Sequence, residues 1–286
     1  MLKKLRFYFI LALITASLCF IPTKIQASKF QVVTTTDFYE EVAAEVLGSK
    51  GKVTSIINNP NIDPHDFEAT TKTAKIVSHA NLVIYNGLGY DNWVKKLDGK
   101  KYLAVAPLVG KKDGANEHIW YNIQAMKSLT TKLASYFGNQ DPKNAQYYQD
   151  NAKKYIKDLN QLTSLQKQIA TKAKGQKVAV SEPVFDYALE SMNYKVANRH
   201  FAKATEEEND PSYSDIKHLQ DLIKQKKIAF FVLNTQSDSK VIDNILALCK
   251  QAQIPVVKVT ETKPKGQSYV QWMTKEFKQI QTIQTR

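Results

Sequence analysis

Beyond about residue 30, apolar and polar positions alternate in short blocks with two different periods. Phe30–Thr36 reads as a strand, and Asp37–Leu47 as a helix with Asp37 as N-cap and Gly48 as its stop. Lys52–Ile57 alternates apolar and polar positions as a second strand. A helix over Ala69–Ala80, a strand over Leu82–Asn86 closing in the turn Asn86–Tyr90, a short helix over Asp91–Leu97 and a strand over Tyr102–Pro107 follow. Val109–Glu117 is a polar loop, after which a helix runs to about Phe137. Asp141-Pro142 then opens the longest helix, with apolar or small residues three or four apart from Tyr148 to Ala173 and Gly175 as its end. Some thirty residues at about 1.5 Å each make a rod of roughly 45–50 Å, longer than a small domain is wide.

After Gly175 the alternation resumes: strand Lys177–Ser181, helix Pro183–Met192, strand Tyr194–Asn198, a polar loop Ala204–Pro211, helix Ser214–Lys226, strand Ile228–Leu233, helix Ser239–Gln251, strand Ile254–Val259 and a final helix from Tyr269. The expected fold is α/β. Two lobes, each a mostly parallel sheet of about four strands with flanking helices, are joined by one long rigid helix. The boundaries are 28–140 for the first lobe, 141–175 for the joining helix and 176–286 for the second.

The first residues follow another rule. Met1–Arg6 is basic, Phe7–Pro22 is apolar without charge, and Ala27 is a small residue suited to cleavage. Residues 1–27 read as a secretory signal, too short for a stable membrane span. Cys19 lies inside the apolar run, but Leu18 stands where a lipidation signal wants a small residue. Cleavage at Ala27 is therefore preferred to lipid attachment at Cys19. Cys249 then remains alone, in an apolar helical pattern, as a buried thiol. The net charge is +13, and Lys3, Lys4, Arg6 and Lys24 account for four of it, leaving +9 beyond residue 27. The lysines are spread along helices rather than clustered with aromatics, so no nucleic-acid partner is expected. An anionic cell envelope fits the charge of an exported protein better.

The chemistry concentrates at loops after strands, where open α/β sheets bind ligands. Asn58-Asn59-Pro60-Asn61-Ile62-Asp63-Pro64-His65 is stiffened by two prolines and presents His65 at low entropic cost. His118 stands at a loop-to-helix junction beside Ile119 and Trp120. In the second half, Glu206-Glu207-Glu208 and Asp238 are acidic loop residues, while His79 and His218 fall in helical patterns.

With these residues in view, the chain resembles the metal-capturing solute-binding proteins of bacterial ABC transporters for zinc and manganese. The resemblance is carried by the Asn-Pro…Asp-Pro-His65-Asp-Phe-Glu loop, the Tyr85–Trp93 segment, His118-Ile119-Trp120, the long middle helix and Thr205-Glu206-Glu207-Glu208, and it covers residues 30–286. It implies that His65 and His118 ligate metal from the first lobe, and that Glu206 and Asp238 do so from the second. Asp238 can equally cap the helix that follows it, and His200, six residues before Glu206, is the reserve ligand. It further implies extracytoplasmic capture of Mn2+ or Zn2+ as cargo, delivery to the permease of an ABC importer, a monomer, and no enzymatic activity.

Two imidazoles and two carboxylates suit first-row divalent ions. Many zinc members of the family it resembles carry a long histidine-rich, acidic loop that is absent here between Pro107 and His118, so the resemblance leans toward manganese. A metal-dependent hydrolase or a surface adhesin on the same scaffold are the competing readings. The first needs an open coordination position and a general base, and no Ser–His–Asp or HExxH pattern is present.

Overall fold

The computed structural model describes residues 30–62, 64–65, 67–237 and 239–285. The apolar leader with Cys19 and Ala27, and the candidate ligand Asp238, lie outside the described residues.

Strand β1 (Phe30–Thr36) is the hub of the first sheet. Its register places β2 (Gly51–Ile57) on one side and β3 (Leu82–Tyr85) on the other, both parallel, with β4 (Tyr102–Ala104) beyond β3. The order is β2-β1-β3-β4. The second sheet repeats it with β5 (Lys177–Val180), β6 (Lys195–Val196), β7 (Phe231–Asn234) and β8 (Val256–Val259), in the order β6-β5-β7-β8 and again parallel. In a parallel sheet all carboxyl ends point the same way, so every loop that follows a strand opens on one edge.

The alternation of side chains explains how each sheet is covered. In β1, Val32 joins the main core, while Val33 turns to the opposite face with Val77 and Val94. Both faces are therefore buried, as parallel sheets require. Between the sheets in sequence runs a 29-residue helix, Ala145–Ala173, about 44 Å long at the usual rise. Its buried stripe of Tyr148, Ala152, Tyr155, Leu159, Leu162, Ile169 and Ala173 joins the same core cluster as Val32 of the first sheet and Val178 of the second. One continuous core thus underlies both sheets. A satellite core lies in the second half, where Cys249 is fully buried against Ile245 and Phe231, and burial pushes its thiol up to about 11.

Helix α1 (Asp37–Leu47) has Thr36 at its N-cap, so Asp37 is its first residue rather than its cap. Helix α2 (Thr71–His79) begins with a reciprocal cap between Thr70 and Thr73. Several other stretches are shorter or tighter than their pattern suggests. Asn92–Lys96 is a 3-10 turn, and β4 stops at Ala104 because Pro107 begins a 3-10 turn over Ala106–Val109. Helix α3 (Ile123–Gln140) starts only after Asn122, whose side chain caps it. The first three residues of the expected polar loop Ala204–Pro211 instead end a helix, Arg199–Glu206, because Ala, Lys and Glu are strong helix formers whatever their polarity. Glu206 is its last residue. Among the described residues no helix is long and apolar enough to cross a membrane.

Candidate metal centre

The cleft is built from strand ends. After β3, the buried carboxyl of Asp91 accepts from the backbone N–H groups of Asn86 and Gly87 (2.7 and 2.9 Å) and from the Thr35 hydroxyl (2.6 Å). This clamp shapes a turn in which Gly87 and Gly89 take φ of 88° and 99°, values that favour glycine. Tyr90 is thereby set edge-on against the His65 ring, at 4.9 Å between centroids. The loop carrying His65 is pinned from the opposite lobe, where Gln236 Nε2 and Thr262 Oγ1 donate to the Pro60 carbonyl at 2.6 and 3.0 Å.

His118 lies deeper. It is 1% exposed, against 35% for the side chain of His65, which lines the cleft, while His118 is buried beside Glu206. Its Nδ1 sits 2.8 Å from Asn116 Oδ1, and its own backbone N–H donates to the same oxygen. Asn116 is in turn tied across the cleft: its Nδ2 donates to the Pro183 carbonyl and its carbonyl accepts from the Tyr187 hydroxyl. Burial pushes the His118 pKa well below the ordinary imidazole range, so the ring is neutral. With Nδ1–H donated to Asn116, Nε2 keeps a bare lone pair. Among the described residues this buried Nε2 has no hydrogen-bond partner.

Glu206 comes from the second lobe. Its Oε1 lies 3.5 Å from His118 Nδ1 and is also buried without a hydrogen-bond partner among the described residues, while Oε2 takes the Lys203 ammonium at 2.7 Å. Burial pushes its carboxyl up to about 7 against the opposing pull of Lys203. The orphaned Nε2 of His118 and the orphaned Oε1 of Glu206, the latter beside the other nitrogen of the same ring, each forgo a hydrogen bond whose loss costs about 1–3 kcal/mol. Both atoms are of the kind that ligate a divalent cation, and a neutral imidazole held by a carbonyl at its other nitrogen is the usual form of a metal-binding histidine.

The structure also brings in two carboxylates that the sequence reading passed over. Glu261, directly after β8, lies with Oε1 4.0 Å from His65 Nε2 and accepts from the Tyr90 hydroxyl at 3.0 Å. Glu117 lies 3.7 Å from the same nitrogen. A cavity of about 610 Å3 opens over this ground, lined by His65, Glu182, Glu206 and Glu261 among others. Among the described residues no three of these groups close around one point. They stand as two imidazole–carboxylate pairs, His118 with Glu206 and His65 with Glu261 or Glu117. Glu182, Glu206, Glu208, Asp210 and Glu261 all line this cavity of a strongly basic protein and focus the local potential on cations.

The other candidates fall elsewhere. Asp238 lies outside the described residues, although Ser237 and Ser239 on either side of it line the cavity. His200 and His218 line a separate depression beside Asp215. His79 is on the surface against the carbonyl of Lys75. Glu207 is exposed and pairs with Lys203.

Comparison with known proteins places this architecture. The chain is 28% identical over 270 residues to the manganese ABC transporter substrate-binding lipoprotein PsaA of Streptococcus pneumoniae, covering 86% of each. It is 26% identical over 286 residues to the metal ABC transporter substrate-binding lipoprotein ScbA of Streptococcus cristatus, covering 90% of each. Its fold matches the periplasmic zinc-binding protein TroA of Treponema pallidum with a TM-score of 0.72 at 18% identity, over 91% of this chain and all of that one. The family model for zinc-uptake complex component A, periplasmic, matches residues 32–283, and the chain belongs to that family, ZnuA.

Proposed function

We propose that the chain captures a divalent transition-metal ion outside the cytoplasm, in the cleft between its two lobes, and hands it to the permease of an ABC importer. The lobes are taken as 28–140 and 176–286, with 141–175 as the spine between them. The observation that carries the reading is the pair of buried, unpartnered atoms His118 Nε2 and Glu206 Oε1. We assign His65, His118 and Glu206 as three ligands. Glu261 is the fourth, because its carboxylate already stands beside His65, and Asp238 is the alternative for that position. The ion would draw the two pairs together across the cleft. Membership of the family and the relatives' roles support transport, and no catalytic function is assigned to the chain.

Two imidazoles with two carboxylates accept manganese or zinc. The oxygen-rich cleft, with Glu117 and Glu182 close by, favours manganese as the cargo. The protein acts as a monomer in this reading.

A thermal melt tests it. Metal bound only to the folded state stabilises by RT ln(1 + [L]/Kd), about 4 kcal/mol at a thousandfold excess over Kd. For a chain of this size that raises Tm by roughly 10 °C. Manganese and zinc should both give such a shift. Calcium and magnesium should give little, since imidazole does not suit them. Equal shifts with all four ions, or none with any, would remove the assignment.

A further inference from the structure

Behind the cleft, Glu276 of the last helix (Tyr269–Ile283) is 4% exposed and spans the two lobes. Its Oε1 accepts from Trp272 Nε1 at 2.7 Å and from the Thr260 backbone N–H at 3.0 Å. Its Oε2 lies 2.8 Å from the Tyr121 hydroxyl, which is also 2.6 Å from the Thr260 carbonyl. A phenol carries one hydrogen, and a carbonyl oxygen can only accept. The Tyr121 hydrogen therefore goes to Thr260, and the approach of Tyr121 to Glu276 lacks a hydrogen unless Glu276 supplies it. One carboxyl oxygen accepting two N–H groups while the other donates is the pattern of a neutral acid.

We propose that Glu276 is held as a protonated carboxylic acid and serves as a positioning residue for the metal cleft: its proton completes the chain Glu276–Tyr121–Thr260, which fixes the backbone immediately before Glu261 to the first lobe. The positioning half rests on Glu261 being a metal ligand. The protonation half does not.

The surroundings agree with a neutral group. Tyr121 faces Glu276 from the turn before α3, and Tyr269 faces it from about two turns earlier on the same helix. Both stay protonated, as burial pushes their pKa values well above the phenol range. Glu261 stands one residue beyond Thr260 at the end of β8. Burial pushes Glu276 up to about 8, against the opposing pull of its contacts with Tyr121, Thr260 and Trp272 and the smaller pull of Lys275, which is exposed on the neighbouring position. The unfolded chain loses this proton near the ordinary carboxylate value of 4.5. Between there and about pH 8 the folded state holds one proton more than the unfolded state. Stability from this residue is thus fully present below the lower value and is lost as pH rises, by about tenfold in the folding equilibrium constant per pH unit.

Glu276→Gln separates the alternatives. Its amide oxygen can accept both N–H groups and its NH2 can donate to Tyr121, so it imitates the protonated acid and cannot ionise. Denaturant melts of the metal-free protein at several pH values should show the variant gaining on wild type by about tenfold in equilibrium constant per unit between pH 5 and 8. Infrared difference spectra at pH 7 should show a protonated-carboxyl carbonyl band in wild type that the variant lacks. Manganese affinity of Glu276→Gln should match wild type, whereas Tyr121→Phe, which cannot bridge to Thr260, should weaken it by at least about tenfold. No carboxyl band together with parallel pH profiles would overturn the protonation. A present band with Tyr121→Phe binding manganese as wild type does would overturn the positioning role. Glu261→Ala serves as the control: if it binds normally while the band is present, the ligand assignment fails and the neutral acid stands.

Discussion

His118→Ala is expected to remove high-affinity metal binding while leaving the metal-free fold nearly as stable as before. The imidazole is buried beside Glu206, 1% exposed, with its ring oriented by Asn116 and its Nε2 unpartnered among the described residues. On the proposed ligand set, deleting it removes an imidazole that is already oriented and leaves Glu206 without its paired ligand. A loss of at least about a hundredfold in affinity, about 2.8 kcal/mol, is expected for either manganese or zinc. In the metal-free protein two effects oppose one another. The lost ring leaves a cavity, but an orphaned buried nitrogen costing about 1–3 kcal/mol goes with it. The metal-induced rise in Tm should therefore collapse while the metal-free Tm moves by a few degrees at most. Isothermal titration and a melt on the same sample read both quantities. Undiminished binding by the variant would place the ion elsewhere.

Trp120→Ala is the substitution expected to cost most in stability. Its ring is fully buried and stacks on Phe38 at 4.8 Å and 28°. It also meets Tyr90 at 4.8 Å and the His118 ring at 5.1 Å. Its carbonyl accepts the Tyr269 hydroxyl from the last helix, so this one residue touches both the cleft wall and the junction of the lobes. Emptying such a site costs about 3–5 kcal/mol. For a chain of this length that is a fall in Tm of roughly 10 °C. Because Trp120 backs both Tyr90 and His118, metal binding should also weaken, though by less than in His118→Ala. A fall of only a degree or two would mean that the aromatic cluster is not what joins the lobes.

How the chain advertises its fold and its site differs from element to element. The β-branched run of β1 and the three- and four-residue spacing along Ala145–Ala173 are local signals, and the strand and the long helix stand where those signals put them. Only the last three residues of the helix Arg199–Glu206 fall in the stretch expected as a polar loop, and its first five carry no expected element, although Ala202, Lys203 and Ala204 all favour a helix. For the site, His65 and His118 are legible because proline-stiffened and aromatic-flanked histidines on strand-end loops are unusual. Glu261 was not legible in the same way. It is a single acid after the apolar run Ile254–Val259, and only the pairing of β8 with β7, together with the crossing of Tyr90 and the Pro60 loop from the first lobe, brings its carboxylate to His65. Such placement depends on contacts between residues some 170 to 200 positions apart, which no local pattern encodes. A usable clue existed all the same: the ends of parallel strands share one edge, so an acid directly after β8 falls on the same edge as the other strand-end loops of its sheet.

The central claim is that one metal ion is held between the pair His118 and Glu206 and the pair His65 and Glu261. Anomalous diffraction from crystals of the manganese-loaded protein, recorded on both sides of the manganese edge, tests it directly. The account predicts one strong peak in the cleft, within bonding distance of His118 Nε2, a Glu206 oxygen, His65 Nε2 and a Glu261 oxygen. A peak that lies away from His118 and Glu206, or one completed from the second lobe by Asp238 with Glu261 turned aside, would contradict it.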